Sequence, residues 1–172
     1  MNRKQVNAFL KVMSKDKTRP ILCSAYIDEY NGKSVLVATD GYVLVAMKLE
    51  DIEQDHIGKR VSREAVERWY KLADGRSRLS GADLQDMMEF DQFNKSYLDG
   101  VYPQWQKLIP TEVKTSEFMN SMSIAFNANY AKMLQDVRGI DGLNLKIYGK
   151  LAPMVHEDET GLYILMPMKE TK

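Results

Sequence analysis

The stretch Ser34-Val35-Leu36-Val37-Ala38-Thr39-Asp40-Gly41-Tyr42-Val43-Leu44-Val45-Ala46-Met47 decides the reading of this chain. Two apolar runs rich in valine flank an Asp-Gly pair, the composition of two strands joined by a tight turn. On the N-terminal side, Asn31-Gly32 supplies another turn, and Ile21 to Ile27 after Pro20 is the strand it leads back to. Further back, Val6, Phe9, Leu10 and Met13 fall at the i, i+3, i+4, i+7 spacing of one helix face, with Lys4, Asn7, Lys11 and Lys15 on the other. The first fifty residues therefore read as a helix, residues 3–15, followed by three strands.

The same order recurs downstream. Lys59-Arg60-Val61 is a short strand, Ser62 a helix N-cap, and residues 63–73 a helix with Val66, Trp69, Tyr70 and Ala73 facing inward. Leu79, residues 84–90 and residues 96–102 are then expected as strands. In the third pass Ser123 to Phe126 is a strand, and Asn127 caps a helix bearing Tyr130, Met133, Leu134 and Val137, which Gly139 ends. Leu143–Tyr148, Pro153–His156 and Leu162–Met168 complete it as three strands. The chain reads as an α+β protein of three strand-helix-three-strand units, the first with a missing or shortened opening strand. The polar segment from Pro110 to Glu117 divides residues 1–112, holding two units, from residues 113–172, holding one.

Composition narrows the function. With 172 residues, 44% hydrophobic and 28% charged, the chain can bury a core, and its apolar runs are too short to cross a bilayer. The first residues lack the apolar stretch of an export signal, and the single cysteine, Cys23, permits no internal disulfide, so a cytoplasmic location is expected. No phosphate-cradling glycine motif or nucleophile elbow occurs. His56 and His156 lack metal-ligand spacing, and Asp28-Glu29 and Glu157-Asp158 read as solvated loop charge. No catalytic residue, metal or cofactor is expected.

The 24 basic and 24 acidic residues cancel, yet they are not mixed evenly. Residues 1–19 hold six cations against Asp16 alone, residues 58–80 hold seven basic against three acidic side chains, and Asp83, Asp86, Glu89 and Asp91 gather the opposite charge. A lysine-rich helix face is ordinarily only solvated, but its repetition in a neutral chain makes the phosphate backbone of nucleic acid a natural counterpart.

Three stretches carry a family resemblance. Thr18-Arg19-Pro20-Ile21-Leu22 leading into Val37-Ala38-Thr39-Asp40-Gly41-Tyr42, then Tyr102-Pro103-Gln104-Trp105-Gln106-Lys107-Leu108-Ile109-Pro110, then Tyr163-Ile164-Leu165-Met166-Pro167-Met168, resemble in that order the bacterial sliding clamp, the beta subunit of the replicative DNA polymerase. Residues 1 to about 112 are similar to its middle domain, and residues 116–169 to the second half of its last domain.

The resemblance implies helices lining a positive inner surface, strands outside, and a hydrophobic cleft that captures a linear motif of polymerases and other clamp-motif proteins. One wall would be Leu22, Thr39, Gly41, Tyr42, Val43, Leu44, Pro103, Lys107 and Leu108. The other would be Asn127, Tyr130, Pro153, Ile164, Leu165, Met166, Pro167 and Met168. Several of these, Leu22, Leu44 and Ile164 among them, would serve equally as strand core. Lys4, Lys11, Lys15, Arg63, Arg68, Lys71 and Lys132 would face the phosphates of double-stranded DNA. Encircling a duplex would need a homo-oligomer, a dimer or a tetramer. The alternative is an adaptor or decoy that keeps the cleft and never surrounds DNA.

Overall fold

The structure, a computed structural model, describes residues 1–94, 100–113 and 123–169. Helix α1 (Arg3–Val12) opens with a reciprocal cap: the Gln5 backbone N–H donates to Asn2 Oδ1 and the Asn2 N–H to Gln5 Oε1, both at 3.0 Å. Val6, Phe9, Leu10 and Met13 are buried and Lys4, Lys11 and Lys15 exposed, as their spacing predicts. Strands β1 (Ser24–Tyr30), β2 (Lys33–Thr39) and β3 (Val43–Lys48) follow, with Asn31 and Gly32 at φ of 51° and 70° in the first turn. Strand β4 (Arg60–Ser62) leads directly into α2 (Arg63–Leu72), where Ser62 Oγ accepts from the Ala65 N–H at 3.0 Å.

The next segment departs from expectation. Residues 84–90 are not strand but the middle of helix α3 (Gly81–Phe93). The Asp83 carboxylate accepts from the Ser80 backbone N–H and hydroxyl at 2.8 and 2.7 Å, fixing the first turn. Leu84, Met87, Met88 and Asp91 then bury one face at helical spacing, and residues 84–90 contain no β-branched side chain. Leu79 belongs to no strand, and Gly100 to Tyr102 are irregular; the rest of the expected 96–102 strand lies outside the described residues.

Helix α4 (Ala128–Arg138) begins at Asn127, whose side chain accepts from the Asn129 N–H, and ends at Gly139, while β5 (Met154–Glu157) and β6 (Gly161–Leu165) form the last hairpin. The expected strands at 123–126 and 143–148 are reduced to single bridges, Ala125 with Met168 and Lys146 with Val155. Of the expected joint, residues 114–117 lie outside the described residues.

All strands join one antiparallel sheet in the order β4-β1-β2-β3-β6-β5. The seam is the β3–β6 pairing, from Val43 opposite Leu165 to Met47 opposite Gly161. Gly161 is required there by space, because a Cβ would lie 2.4 Å from the Ala46 carbonyl oxygen. The helices cover one face of the sheet, with α1 packed against both α4 and α2, and α2 against α3. Strand alternation divides the interior accordingly. Leu36, Val43, Val45, Tyr163 and Leu165 meet the helices, while Val37, Leu44 and Ile164 meet Tyr102 and Trp105 on the outer face. Trp105 Nε1 donates to Asp28 at 2.8 Å and Tyr102 stacks on Tyr26 at 4.9 Å, so segment 102–109 covers the outer face and β2 and β3 are apolar on both sides.

Candidate functional site: a groove at the seam and a charged helix layer

Three pieces of chain meet beside the β3–β6 seam. The β2–β3 turn is pinned by Asp40, whose carboxylate accepts from the backbone N–H groups of Tyr42 and Val43 at 2.8 and 3.1 Å, and by Thr39, whose hydroxyl donates to the Val43 carbonyl at 2.6 Å. The segment after β6 is held by the Met166 N–H on Tyr42 O (2.9 Å) and the Met168 N–H on Ala125 O (2.8 Å). Helix α4 contributes Asn127 and Tyr130 from its first turn.

Tyr42 and Tyr130 stack across the gap, rings 6.0 Å apart and 15° from parallel. Burial, and next the Asp40 carboxylate at its hydroxyl, push the Tyr130 phenol up from its ordinary value. The result is an apolar groove of about 430 Å³ lined by Tyr42, Asn127, Tyr130, Met166, Pro167, Met168 and Lys169. Tyr42 and Met168 are 58% and 52% exposed, large apolar side chains presented to solvent.

Two polar joints hold α4 in position for this stack. Gln5 of α1 donates its side-chain amide to the Val137 and Arg138 carbonyls at 3.0 and 2.9 Å, satisfying the C-terminal end of α4. Arg138 Nε donates to Asp158 Oδ2 at 2.6 Å, between side chains only 14% and 13% exposed. Burial acts to raise the Asp158 pKa, but hydrogen bonds from Thr160, Arg138 and His156 outweigh it and hold the carboxyl well below its ordinary value.

Of the expected cleft residues, Tyr42, Asn127, Tyr130, Met166, Pro167 and Met168 line the groove. Leu44 and Ile164 are register partners buried in the outer-face core, and Leu22 and Thr39 are buried as well. Val43 and Leu165 require correction: with a side-chain period of two they face the helix-side core, opposite Leu44 and Ile164. Gly41, Pro103, Lys107 and Leu108 are exposed and Pro153 half-buried, all outside the groove lining. Lys169, exposed and also part of the lining, was missed because the stretch that carries the resemblance stops at Met168.

The expected phosphate contacts are distributed unevenly. Lys4 and Lys11 on α1, Lys15 just beyond its end and Lys71 on α2 are exposed. Arg63 is instead structural: Nη1 donates to the Leu10 and Met13 carbonyls at 2.5 and 3.0 Å, and Nε to Glu67 at 2.8 Å. Arg68 lies over the Phe90 ring, 5.0 Å from its centroid, and Lys132 pairs with Asp136. The acids Asp83, Asp86, Glu89 and Asp91 sit on α3, not in loops or strands, so the helix layer passes from basic α1 and α2 to acidic α3.

His56 and His156 are both buried, His56 Nε2 3.0 Å from Gln85 Oε1 and His156 Nε2 3.2 Å from Asp158 Oδ2. The exposed Glu53 and Asp55 and the buried His56 bring three ligand-type atoms within 4.8 Å of one another.

No protein-family model and no curated protein matches the sequence. Solved structures do match. The DNA polymerase sliding clamp of Bacillus subtilis superposes with a TM-score of 0.63 at 17% identity, covering 98% of this chain and 62% of that one. The fold is that of the bacterial sliding clamp. The polymerase III beta subunit of Pseudomonas aeruginosa gives a TM-score of 0.65 at 14% identity over 97% and 64%, and that of Thermotoga maritima 0.62 at 13% over 99% and 65%. The chain thus spans less than two thirds of the length of each of these clamps.

Proposed function

We propose that this clamp-fold chain is a non-catalytic replication accessory that captures short linear peptides of DNA-handling proteins and rests on duplex DNA without reading sequence. The observation that carries the reading is the groove at the seam. Six side chains expected from distant parts of the sequence converge there, two of them exposed aromatic or thioether groups on a well-braced frame.

Methionines and tyrosines make a deformable apolar surface, and burying one leucine or phenylalanine of a partner contributes about 1.5–3 kcal/mol. Two such anchors supply about 3–6 kcal/mol before the ordering cost, which corresponds to a weak complex with a dissociation constant between about 10 μM and a few millimolar. The lysines of α1 supply sequence-independent phosphate contact that weakens with salt.

The test is anisotropy with a labelled peptide carrying adjacent leucine and phenylalanine. Met168→Asp is expected to weaken binding at least about tenfold, since it places a charge against an apolar anchor. Binding equal to that of the parent chain would refute the groove. The adaptor reading, in which DNA is never encircled, draws support from the acidic α3, which carries Asp83, Asp86 and Glu89 in the helix layer. Retention on nicked circular DNA, lost when the circle is cut, would favour the clamp; peptide capture without retention would favour the adaptor.

A further inference from the structure

Helices α2 and α3 form an antiparallel pair. The Asp91 carboxylate near the end of α3 accepts from the Ser62 N–H and hydroxyl, at the start of α2, at 2.7 and 2.5 Å. Asp83 at the start of α3 accepts from Trp69 Nε1 of α2 at 2.9 Å. Between them lies a groove of about 390 Å³, whose walls include Arg68, Trp69 and Leu72 from α2 and Asp86, Met87 and Phe90 from α3. Its rim is unusually apolar. Leu72 is 72% exposed, and Phe93, one turn beyond Phe90, is 88% exposed.

The charge on this face is divided unevenly between the two helices. Within α2, Arg68 and Lys71 are exposed against the single exposed acid Glu64, and Arg78 is exposed beyond its end. On α3, Asp86 and Glu89 are exposed, Asp83 is half-buried and no cation is present. Such a face is complementary to itself in one orientation. A two-fold axis parallel to the helices sets α2 of one copy against α3 of the other, basic against acidic, at both ends of the contact. An axis across the helices would set α2 against α2, basic on basic, which like-charge repulsion opposes.

We propose that the α2–α3 face is a homodimer interface, occupied by a second copy of this chain related by a two-fold parallel to the helix axes. Leu72 and Phe93 are its apolar anchors, and Arg68 with Asp86 of the partner subunit sets the orientation. The dimer depends neither on the peptide groove nor on DNA. It takes Arg68 and Lys71 out of contact with phosphate and leaves that role to the lysines of α1.

The experiment is sedimentation of the full chain from about 2 to about 200 μM. The expected mass is twice 19.8 kDa at the upper end. Leu72→Glu changes a side chain already largely in solvent, so it should leave the urea midpoint of the dilute monomer unchanged and raise the dimer dissociation constant at least about tenfold. Arg68→Glu alone and Asp86→Arg alone should each do the same, by setting like charges opposite one another. Mixed in equal amounts, those two variants should pair again, because one contact then joins the two substituted positions with both charges reversed while the other contact stays as in the parent chain. The doubly exchanged chain should also dimerise, which keeps the test open if one single variant folds poorly. A parent chain that stays at 19.8 kDa throughout would overturn the proposal, as would a dimer insensitive to Leu72→Glu or single variants whose mixture does not pair.

Discussion

Replacing Asp158 by asparagine should be among the costliest single polar substitutions in the chain. Its carboxylate accepts from Arg138 Nε (2.6 Å), from the backbone N–H groups of Thr160 and Gly161 (2.8 and 3.3 Å) and from the Thr160 hydroxyl (2.6 Å), with His156 Nε2 at 3.2 Å. An asparagine oxygen can keep the turn contacts, but its amide then faces the Arg138 guanidinium without charge. Removing one partner of a fully buried pair costs about 3–5 kcal/mol, and a hydrogen bond to a charged group about 1.5–3 kcal/mol. Because this pair retains some solvent contact, about 2–3 kcal/mol at neutral pH is expected. At a urea slope of about 2 kcal/mol per molar, the midpoint should fall by about 1–1.5 M.

The pH dependence follows from the lowered pKa. A carboxyl held below its unfolded value stabilises the fold at pH above that value, about 4, and the contribution fades as pH falls toward the folded pKa. The gap between parent and Asp158→Asn should therefore be full at pH 7 and shrink on acidification below about pH 4. Urea denaturation across this range, with Arg138→Met and the double variant closing a cycle, measures both. A midpoint shift under about 0.3 M at pH 7, or a gap that does not change with pH, would refute the reasoning.

Gly161→Ala should cost about 1–3 kcal/mol in urea denaturation, because the added methyl group meets the Ala46 carbonyl oxygen at 2.4 Å at the end of the seam; an unchanged midpoint would count against the β3–β6 pairing. Leu44→Asp should unfold the outer core rather than merely blunt peptide capture, since Leu44 is 2% exposed, and loss of near-ultraviolet circular dichroism would show it. Reversing Lys4, Lys11 and Lys15 together should flatten the salt dependence of DNA association by up to about 0.9 in log–log slope per lost phosphate contact; a slope equal to the parent's would mean that these lysines are only solvated.

Much of the fold was legible because local chemistry agreed with tertiary need. The α1 periodicity, the Asn31-Gly32 turn, the Ser62 and Asn127 caps and the apolar runs of β2 and β3 all fold as their sequences predict. Helix α3 was not legible under a repeating pattern that required strands at that place. Its own signals, the Ser80-to-Asp83 cap and the Leu84, Met87, Met88, Asp91 spacing, were present but overridden.

The groove was legible as a set of residues and not as a surface. Alternation along β3 and β6 turns Val43 and Leu165 away from Leu44 and Ile164, and segment 102–109 closes over Leu44. Which side chains stay in solvent depends on that cover, which no local pattern reveals. Likewise Arg63 read as one more lysine-like cation, although its fork of donors caps α1.

The most direct test of the central claim is methyl nuclear magnetic resonance of methionine-labelled protein during titration with the leucine-phenylalanine peptide. The ε-methyl signals of Met166 and Met168 should shift in a saturable manner, with those of Met13, Met47 and Met87, set in the helix-side core, unmoved. Shifts confined to the core methionines, or none at millimolar peptide, would contradict a peptide-binding groove at the seam.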